Sequence, residues 1–260
     1  MTLIPAMNRC LQTSLTIPFR RVTSMALAIG CFLCGLMLRA NDQMSAPFKL
    51  ALVGDSTMCE YDPDIPDRGW GMLLDEIFCP GTVEIHNLAK AGRSTKTFIE
   101  ENRWEPTLAL KPNYVLIQFG HNDSHAPDRP ESTDANSDYR DYLRRYVDDC
   151  RDIGATPVLV TPMVRRTFHE DGTLDDNLAP YAAAMRAVAE EKGVTLIDLH
   201  SMSWKFFEPL GPGVAQEYAR NPNDRTHFNE KGARVIVELV RQGIAESSLP
   251  LKECLKPETR

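Results

Sequence analysis

The sequence predicts an α/β fold in which helices cover both faces of a central parallel sheet. Two features of the chain carry this prediction. Five short apolar runs recur from residue 49 onward, and such continuous runs are typical of parallel strands that are buried on both faces. Longer amphipathic stretches separate the runs, and strands that alternate with helices build right-handed βαβ units.

The predicted strands lie between residues 49 and 198. Each is dominated by aliphatic or β-branched residues, which favour strands. In chain order they are KLALV (49–53), VEIHN (83–87), YVLIQF (114–119), TPVLVT (156–161) and VTLID (194–198). Together they define one five-stranded parallel sheet.

Three helices are predicted from apolar residues that recur at three- and four-residue steps. The first covers residues 137–153, and the second surrounds Tyr181 to Ala189. The third has the clearest pattern, and Asn229 is its predicted N-cap. One face of this last helix carries Ala233, Ile236, Val237, Val240 and Ile244.

Two polar stretches, residues 122–138 and 208–227, are predicted to be loops. Both follow strand or helix ends, where the ligand-binding loops of such sheets are found. No internal repeat or low-complexity linker interrupts the pattern. Residues 41–260 are therefore predicted to form a single domain.

Residues 1–40 have a different composition from the rest of the chain. Arg20 and Arg21 precede an uncharged run, residues 22–38, and the small residue Ala40 follows it. This is the plan of a secretory signal peptide, so we expect cleavage near Ala40 and a secreted or periplasmic protein. A retained membrane anchor is the alternative, because 17 uncharged residues come close to the length that spans a bilayer. We expect membrane association only if this leader is retained.

The charge balance argues against a nucleic-acid partner. The four charged residues among the first 40 are all arginines, so 25 of the 29 basic residues and all 36 acidic residues lie in 41–260, a net charge of −11. No basic stripe interrupts this acidic surface, and nucleic-acid binding normally requires one.

Cysteine usage leaves the disulfide state open. Residues 41–260 contain four cysteines, which allow three pairings, and buried free thiols are equally consistent with the sequence. None of them forms a CxxC pair, so we predict no zinc or other metal site. The four are Cys59, Cys79, Cys150 and Cys254.

Four short motifs stand at the ends of predicted elements. Three follow strands and the fourth leads into the last helix: GDST (54–57), NLAKAGRS (87–94), FGHND (119–123) and DRTHFNEKG (224–232). The carboxyl ends of neighbouring parallel strands converge on one crevice. We therefore expect Ser56, Gly92 and Asn122 to meet there, although they are far apart in sequence.

The residues of these motifs match what acyl transfer requires. A serine hydroxyl such as that of Ser56 needs a base, for which His227 is suited, and Asp224 would orient its imidazole. The N–H groups of Ser56 and Gly92 and the side-chain amide of Asn122 are the predicted donors to a tetrahedral oxyanion. Each motif alone is more often a turn, a helix cap or a surface pair. Their order and placement together favour a nucleophilic site.

The four motifs resemble the four blocks of the SGNH (GDSL-like) hydrolases. The likeness extends over about residues 49–245. It implies a flavodoxin-like fold, a three-layer α/β/α sandwich with a central parallel five-stranded sheet. It also implies a catalytic triad and an oxyanion hole, formed respectively by Ser56, Asp224 and His227 and by Ser56, Gly92 and Asn122.

Within these hydrolases the sequence is similar to the rhamnogalacturonan acetylesterases. The matching stretches are GDSTM, GWG (69–71), AGRST, FGHND, TPMVRR (161–166) and DRTHFNEKGA. The resemblance implies that the protein removes acetyl groups from O-acetylated galacturonic acid in pectin, through an acetyl-serine intermediate and without a metal or organic cofactor. Its partner would be an acetylated acidic polysaccharide, and we expect a monomer.

Several residues near the motifs are candidates for contact with an acidic sugar. Arginine forks match carboxylates, although a solvated surface position is equally open for each arginine. The candidates for substrate binding are Arg93, His121, Arg165 and Arg225, and Arg166 next to Arg165 is a further candidate for contact with an acidic sugar. Three tryptophans could stack on sugar rings, and we expect core packing for at least two of them: Trp70, Trp104 and Trp204.

Other functions remain open. The same chemistry could serve a lipid esterase, a thioesterase or a deacetylase of another polysaccharide such as xylan, although polar loops favour a small acyl group on a sugar. A catalytically silent carbohydrate-binding protein and a metal-dependent phosphoesterase belong to different classes. The intact set of five site residues argues against the silent protein.

Overall fold

Five short aliphatic segments form the central sheet of the computed structural model, which describes residues 46–257. The predicted leader and its cleavage point lie outside these residues. The strands are β1 (Phe48–Gly54), β2 (Val83–Asn87), β3 (Tyr114–Gln118), β4 (Thr156–Val160) and β5 (Thr195–Ile197). All pairs are parallel, and the order across the sheet is β2-β1-β3-β4-β5. The predicted five-stranded parallel sheet is confirmed.

The side chains of each strand alternate between two apolar cores. Leu50 and Leu52 of β1 point into one core, whereas Ala51 and Val53 point into the other. Both sets are fully buried, which explains why the strand reads as a continuous apolar run. A core on each face of the sheet defines a three-layer α/β/α sandwich.

The helices that cover these cores agree with the predicted periodicity where they are long. In chain order the α-helices are α1 (Thr95–Glu100), α2 (Glu105–Leu110), α3 (Asp138–Asp152), α4 (Ala179–Lys192), α5 (Leu199–Phe207), α6 (Gly211–Ala215) and α7 (Glu230–Glu246). Helices α3 and α4 pack on one face of the sheet, and α5 and α7 pack on the other. The side chain of Asn229 accepts a hydrogen bond from the Gly232 N–H, so the predicted N-cap of α7 is confirmed.

Short 3₁₀ helices add to these elements and correct one prediction. They cover Trp70–Ile77, Glu208–Leu210, Gln216–Tyr218 and Pro250–Cys254. The stretch 208–227 was predicted as a loop, but residues 208–218 form α6 and two of these turns. Prolines lie in the first turns of these helices, where a missing N–H costs no helical hydrogen bond. Ala215 of α6 is buried in the core. Tertiary packing of this kind stabilises a short helix that its polar local sequence does not predict.

The four cysteines of the described residues are free thiols. Burial raises the pKa of Cys59 to about 11 and that of Cys150 to about 12, so both remain protonated at neutral pH. Within residues 46–257, no helix combines the length and the apolar character that crossing a membrane requires.

The sheet order places one crevice at the carboxyl ends of three neighbouring strands. The chain passes from β1 to β2 on one side and then returns to form β3 on the other side of β1. This reversal is a topological switch point, where open α/β sheets bind their ligands. The loops after β1, β2 and β3 carry three of the four sequence motifs.

Candidate active site

Ser56 is held in a tight turn directly after β1. The strand ends at Gly54, where a Cβ atom would lie 2.6 Å from the backbone oxygen of Gln118, so only glycine fits. The carbonyl oxygen of Asp55 then accepts the N–H groups of Met58 and Cys59, at 3.2 and 3.1 Å. This turn presents the Ser56 side chain at the carboxyl edge of the sheet, where it is 7% exposed.

His227 and Asp224 complete a hydrogen-bonded chain to this serine. The Nε2 atom of His227 lies 2.9 Å from Ser56 Oγ, and its Nδ1 atom lies 2.9 Å from Asp224 Oδ2. Since a carboxylate only accepts, Nδ1 carries the proton and Nε2 is free to accept the serine O–H. The geometry is that of a Ser-His-Asp triad, although the serine is 171 residues from the histidine.

The Asp224 carboxylate is positioned by a local turn. Its Oδ1 atom accepts the backbone N–H groups of Thr226 and His227, at 2.7 and 2.6 Å. Burial raises the pKa of Asp224, but the hydrogen bonds from His227 and Thr226 outweigh burial and lower this pKa to about 2. The carboxylate is therefore ionised throughout the range in which His227 could act as a base.

Two arginines hold the loop that carries Asp224 and His227. Arg220 donates from Nε to Asp224 Oδ2 at 2.6 Å and from Nη1 to Asp67 Oδ1 at 2.8 Å. Arg166 is fully buried and donates from Nη2 to the His227 carbonyl oxygen at 2.7 Å. The positions of the carboxylate and the imidazole are thus fixed from two sides. Arg166 is outside the pocket lining, so its prediction as a sugar contact is wrong.

Three hydrogen-bond donors are available beside Ser56. The N–H groups of Ser56 and Gly92 have no hydrogen-bond partner in the part of the chain that the structure describes. Gly92 has a φ of +79°, which favours glycine, and no atom lies within 4 Å of the position of its Cβ. Asn122 uses one amide hydrogen to bind the Arg93 carbonyl oxygen at 2.9 Å, which leaves the second free. These donors are of the kind that an oxyanion hole requires.

Buried carboxylates beneath the pocket tie the strand-end loops together. Asp123 accepts hydrogen bonds from the N–H and the hydroxyl of Thr95 at the start of α1, at 3.1 and 2.5 Å. Burial raises the pKa of Asp123 to about 7, although these hydrogen bonds oppose the shift. Asp55 lies 3.2 Å from His121 Nδ1 and links the β1 and β3 loops in the same way.

The pocket around Ser56 has a volume of about 350 Å³ and a cationic lining. Its titratable lining residues are two arginines, three histidines and one tyrosine, with no aspartate or glutamate. They are Tyr61, His121, His125, Arg165, Arg220 and His227. Burial raises the pKa of Tyr61, so its hydroxyl stays protonated and donates to the Ser56 carbonyl oxygen at 2.9 Å.

The predicted substrate-binding residues divide into two groups. Arg165 and His121 line the pocket, but both His121 ring nitrogens face protein acceptors, Asp55 Oδ2 and the Met163 carbonyl oxygen. The side chains of Arg93 and Arg225 are outside the lining. Arg93 pairs with Glu101 just after α1, and Arg225 binds Gln216 and the Pro222 carbonyl oxygen. For these two arginines, nearby acceptors in their own loops determine where the guanidinium lies.

Five lining residues were not predicted from the sequence: Tyr61, Ala91, His125, Arg220 and Thr226. Arg220 is the most important omission, because it contacts Asp224 directly. It lies in the polar stretch 208–227, whose helical folding the sequence did not reveal. The Asp-x-x-His spacing located the carboxylate but gave no signal for the arginine that binds it.

The chain matches known proteins in sequence and in overall fold. Residues 52–235 match the model of the GDSL-like lipase/acylhydrolase family. The chain is 37% identical over 227 residues to the rhamnogalacturonan acetylesterase RhgT of Bacillus subtilis (strain 168), which covers 82% of this chain and 96% of that protein. The crystal structure of YXIM from Bacillus subtilis matches with a TM-score of 0.70 and 27% identity, over 80% of this chain and 59% of that one. The acetylxylan esterase Axe2 of Geobacillus stearothermophilus matches in fold, with a TM-score of 0.61 and 19% identity, over 79% of this chain and 97% of that one.

The fold and the site define a hydrolase of the SGNH class. The chain belongs to the GDSL-like lipase/acylhydrolase family and is an ester-hydrolysing enzyme.

Proposed function

We propose that this enzyme is an exported serine esterase that removes O-acetyl groups from rhamnogalacturonan through an acetyl-serine intermediate. The coarser assignment to the carbohydrate acetylesterases rests on relatives that bear the name rhamnogalacturonan acetylesterase and match over most of the chain.

The reaction would begin with proton transfer from Ser56 Oγ to His227 Nε2, across the 2.9 Å that separates them. The serine oxygen attacks the acetyl carbonyl carbon, and the oxyanion is held by the N–H groups of Ser56 and Gly92 and the free amide hydrogen of Asn122. The bond between the acetyl carbon and the sugar oxygen then breaks, and His227 gives its proton to this oxygen, which leaves as a hydroxyl group while the acetyl ester stays on Ser56. Water, deprotonated by the same imidazole, attacks this ester and releases acetate.

The cationic pocket is the observation that carries the substrate assignment. In an enzyme whose residues 41–260 have a net charge of −11, a pocket lined by Arg165 and Arg220 and by no carboxylate is a selective place for an anion. The Arg165 guanidinium donates to neutral acceptors, the Asn177 side chain and the His121 carbonyl oxygen, so its charge is preorganised without being neutralised. The Arg220 charge, by contrast, is paired with Asp67 and Asp224. A galacturonate carboxylate next to the acetylated hydroxyl fits this charge, whereas a xylan backbone offers no such group.

The second candidate is an acetylxylan esterase, because Axe2 bears that name and shares the fold. A pocket of about 350 Å³ accommodates a small acyl group in either case. The two functions therefore differ in what lies beside the acetyl group. A neutral sugar would make no use of the Arg165 charge.

We also propose that residues 1–40 direct export and that the enzyme acts in the periplasm or outside the cell. The Arg20-Arg21 pair, the uncharged run 22–38 and Ala40 support this assignment. A polysaccharide substrate is itself outside the cytoplasm, which agrees with export.

The test is acetate release from acetylated rhamnogalacturonan, acetylated xylan and p-nitrophenyl acetate. Ser56→Ala is expected to lower kcat by more than about 10³-fold on every ester that the wild type cleaves. Ser248→Ala removes an exposed hydroxyl outside the pocket and serves as the matched control. Higher kcat/KM on rhamnogalacturonan than on xylan supports the substrate assignment, and a preference for xylan refutes it. Turnover that survives in Ser56→Ala would refute the acetyl-serine mechanism.

A further inference from the structure

A second cavity of about 330 Å³ lies at the same carboxyl edge of the sheet, beside α5 and α4. It shares no lining residue with the pocket around Ser56. Its lining combines an indole, two permanent cations and hydrogen-bonding groups: Asp176, Arg186, His200, Ser201, Trp204 and Lys205.

A short polar segment connects this cavity to the active site. Arg165, which lines the catalytic pocket, donates from Nη1 to Asn177 Oδ1 at 2.8 Å. The preceding residue, Asp176, lines the second cavity. A residue that lines one cavity is therefore one hydrogen bond and one peptide bond away from a residue that lines the other, so we expect a polymer held in the first to reach the second.

The floor of the cavity is fixed by its own hydrogen bonds. His200 donates from Nε2 to Asp176 Oδ1 at 2.8 Å, and its Nδ1 atom faces Arg186 Nη2 at 3.4 Å. Arg186 is held in turn by two hydrogen bonds to Asp198, at 3.0 and 2.8 Å. The Arg186 charge is thus paired within the protein, and the Asp176 carboxylate accepts a hydrogen bond from His200.

Two groups of the cavity remain available to a ligand. The Trp204 indole is half-buried, and its Nε1–H donates to Glu208 Oε2 at 2.8 Å, which fixes the orientation of the ring. Trp70 and Trp104, by contrast, are fully buried in the core. Lys205 is exposed and has neither an ion pair nor a hydrogen bond within residues 46–257.

We infer that this cavity is an outlying subsite for a uronic-acid unit of the polysaccharide. The indole of Trp204 packs against the pyranose ring, and the Lys205 ammonium pairs with the carboxylate. An oriented aromatic ring beside a free cation suits an amphipathic, anionic sugar, because one surface buries C–H groups and the other attracts the charge. The inference rests on the proposed function, since it assumes an acidic polymer as substrate.

The test compares a long substrate with a short one. For acetylated rhamnogalacturonan, Trp204→Ala is expected to raise KM by about 3- to 10-fold. Lys205→Gln is expected to raise it by about 2- to 5-fold. Neither variant should change kcat/KM for p-nitrophenyl acetate, which is too small to reach the second cavity. Lys111→Gln removes the same charge at the opposite edge of the sheet, where β3 begins, and should leave both substrates unaffected.

Folding and substrate assignment are controlled separately. Trp204 packs partly against the core, so its variants are checked by thermal unfolding, and Trp204→Phe keeps an aromatic face. Affinity electrophoresis of Ser56→Ala in a gel with non-acetylated rhamnogalacturonan measures binding without turnover. If the polysaccharide retards Ser56→Ala in the gel, and adding Lys205→Gln weakens this retardation, the subsite is supported. The subsite inference is wrong if folded Trp204→Ala and Lys205→Gln keep the wild-type KM for the polymer. It is also wrong if both variants lose as much kcat/KM on p-nitrophenyl acetate as on the polymer. A wild type that cleaves only p-nitrophenyl acetate refutes the proposed substrate instead.

Discussion

Replacing Arg166 with methionine is expected to slow turnover while leaving the protein folded. The guanidinium is 1% exposed and donates from Nη2 to the His227 carbonyl oxygen at 2.7 Å. It lies 4.4 Å from the centre of the Phe228 ring and 5.7 Å from that of Phe207. Burial lowers the pKa of Arg166 to about 10, although Asp224 opposes the shift, so the group is charged at neutral pH.

The stabilising and destabilising contributions of this side chain are of similar size. A hydrogen bond from a charged donor contributes about 1.5–3 kcal/mol, and a desolvated cation–π contact about 2 kcal/mol. Against these, Arg166 Nε and Nη1 are buried without a partner among the described atoms, at about 1–3 kcal/mol each. Methionine retains an apolar stem of similar length between the two phenylalanine rings. We therefore expect the free energy of unfolding to change by less than about 2 kcal/mol.

The effect on activity is expected to be larger. Without the Arg166 bond, the His227 carbonyl oxygen keeps only the weaker bond from the Arg220 N–H at 3.3 Å, while Asp224 still holds the imidazole. We therefore expect the ring to shift relative to Ser56, and a displacement of about 1 Å at a reacting group costs on the order of 100-fold in rate. We expect kcat for p-nitrophenyl acetate to fall by about 10- to 100-fold with little change in KM. Arg166→Lys preserves the charge and one donor, so its kcat should lie between those of the wild type and Arg166→Met.

Steady-state kinetics and urea unfolding of the same preparations measure both quantities. Arg234→Gln removes an arginine of an exposed ion pair on α7 and serves as the control for charge. A kcat for Arg166→Met within about twofold of the wild type would show that the bond to His227 does not position the base. A loss of more than about 4 kcal/mol in unfolding free energy would show that Arg166 serves the fold instead.

Three further substitutions test other parts of the site. Asp224→Asn should lower kcat by about 10³- to 10⁴-fold, because an amide does not hold His227 in the required tautomer, and pre-steady-state acetylation rates measure this. Asn122→Ala removes one proposed oxyanion donor and should lower kcat by about 10²- to 10³-fold without a matching change in KM. Asp123 has a pKa near 3.8 when exposed and about 7 in the folded protein, because burial raises it. The folded state therefore holds this proton more tightly, so the stability from Asp123 is full below pH 4 and is lost as the pH rises through 7. Asp123→Asn should reduce the change in the free energy of urea unfolding between pH 4 and 7 by up to about 4 kcal/mol. An unchanged slope of this free energy against pH would contradict the pKa shift.

The sheet was predictable because the residues that form each strand follow one another directly in the sequence. Strands buried on both faces need apolar residues at every position, and the run 49–53 became β1 with one residue added at each end. The long helices α3 and α7 were predictable for the same reason, since one face of each is apolar. The short helices α1, α2 and α6 carry no such repeat, and tertiary burial decides their conformation.

The candidate site was predictable in the residues that meet around Ser56 but not in the residues that support them. Ser56, Asn122 and Asp224 stand in short motifs whose residue types match a known chemistry. The roles of Arg220 and Arg225 could not be told apart, because both are arginines in one polar stretch. Side-chain direction separates them: Arg220 reaches Asp224 and lines the pocket, whereas Arg225 binds Gln216 outside it. That direction depends on the helical turns at 208–218, which only the fold reveals.

The chemistry of the site also constrains the order of the strands. Ser56, Gly92 and Asn122 follow β1, β2 and β3, and one oxyanion needs donors from all three loops within hydrogen-bond reach. Parallel neighbours lie about 4.8 Å apart, so the strand that carries Ser56 must stand between the other two. The order β2-β1-β3 fulfils this requirement, whereas a sheet in simple chain order would place Gly92 in the middle and move Asn122 one strand further from the nucleophile. One small pocket lined by residues that follow three strands therefore favours the switch point between β1 and β3. This argument does not depend on the position of any helix.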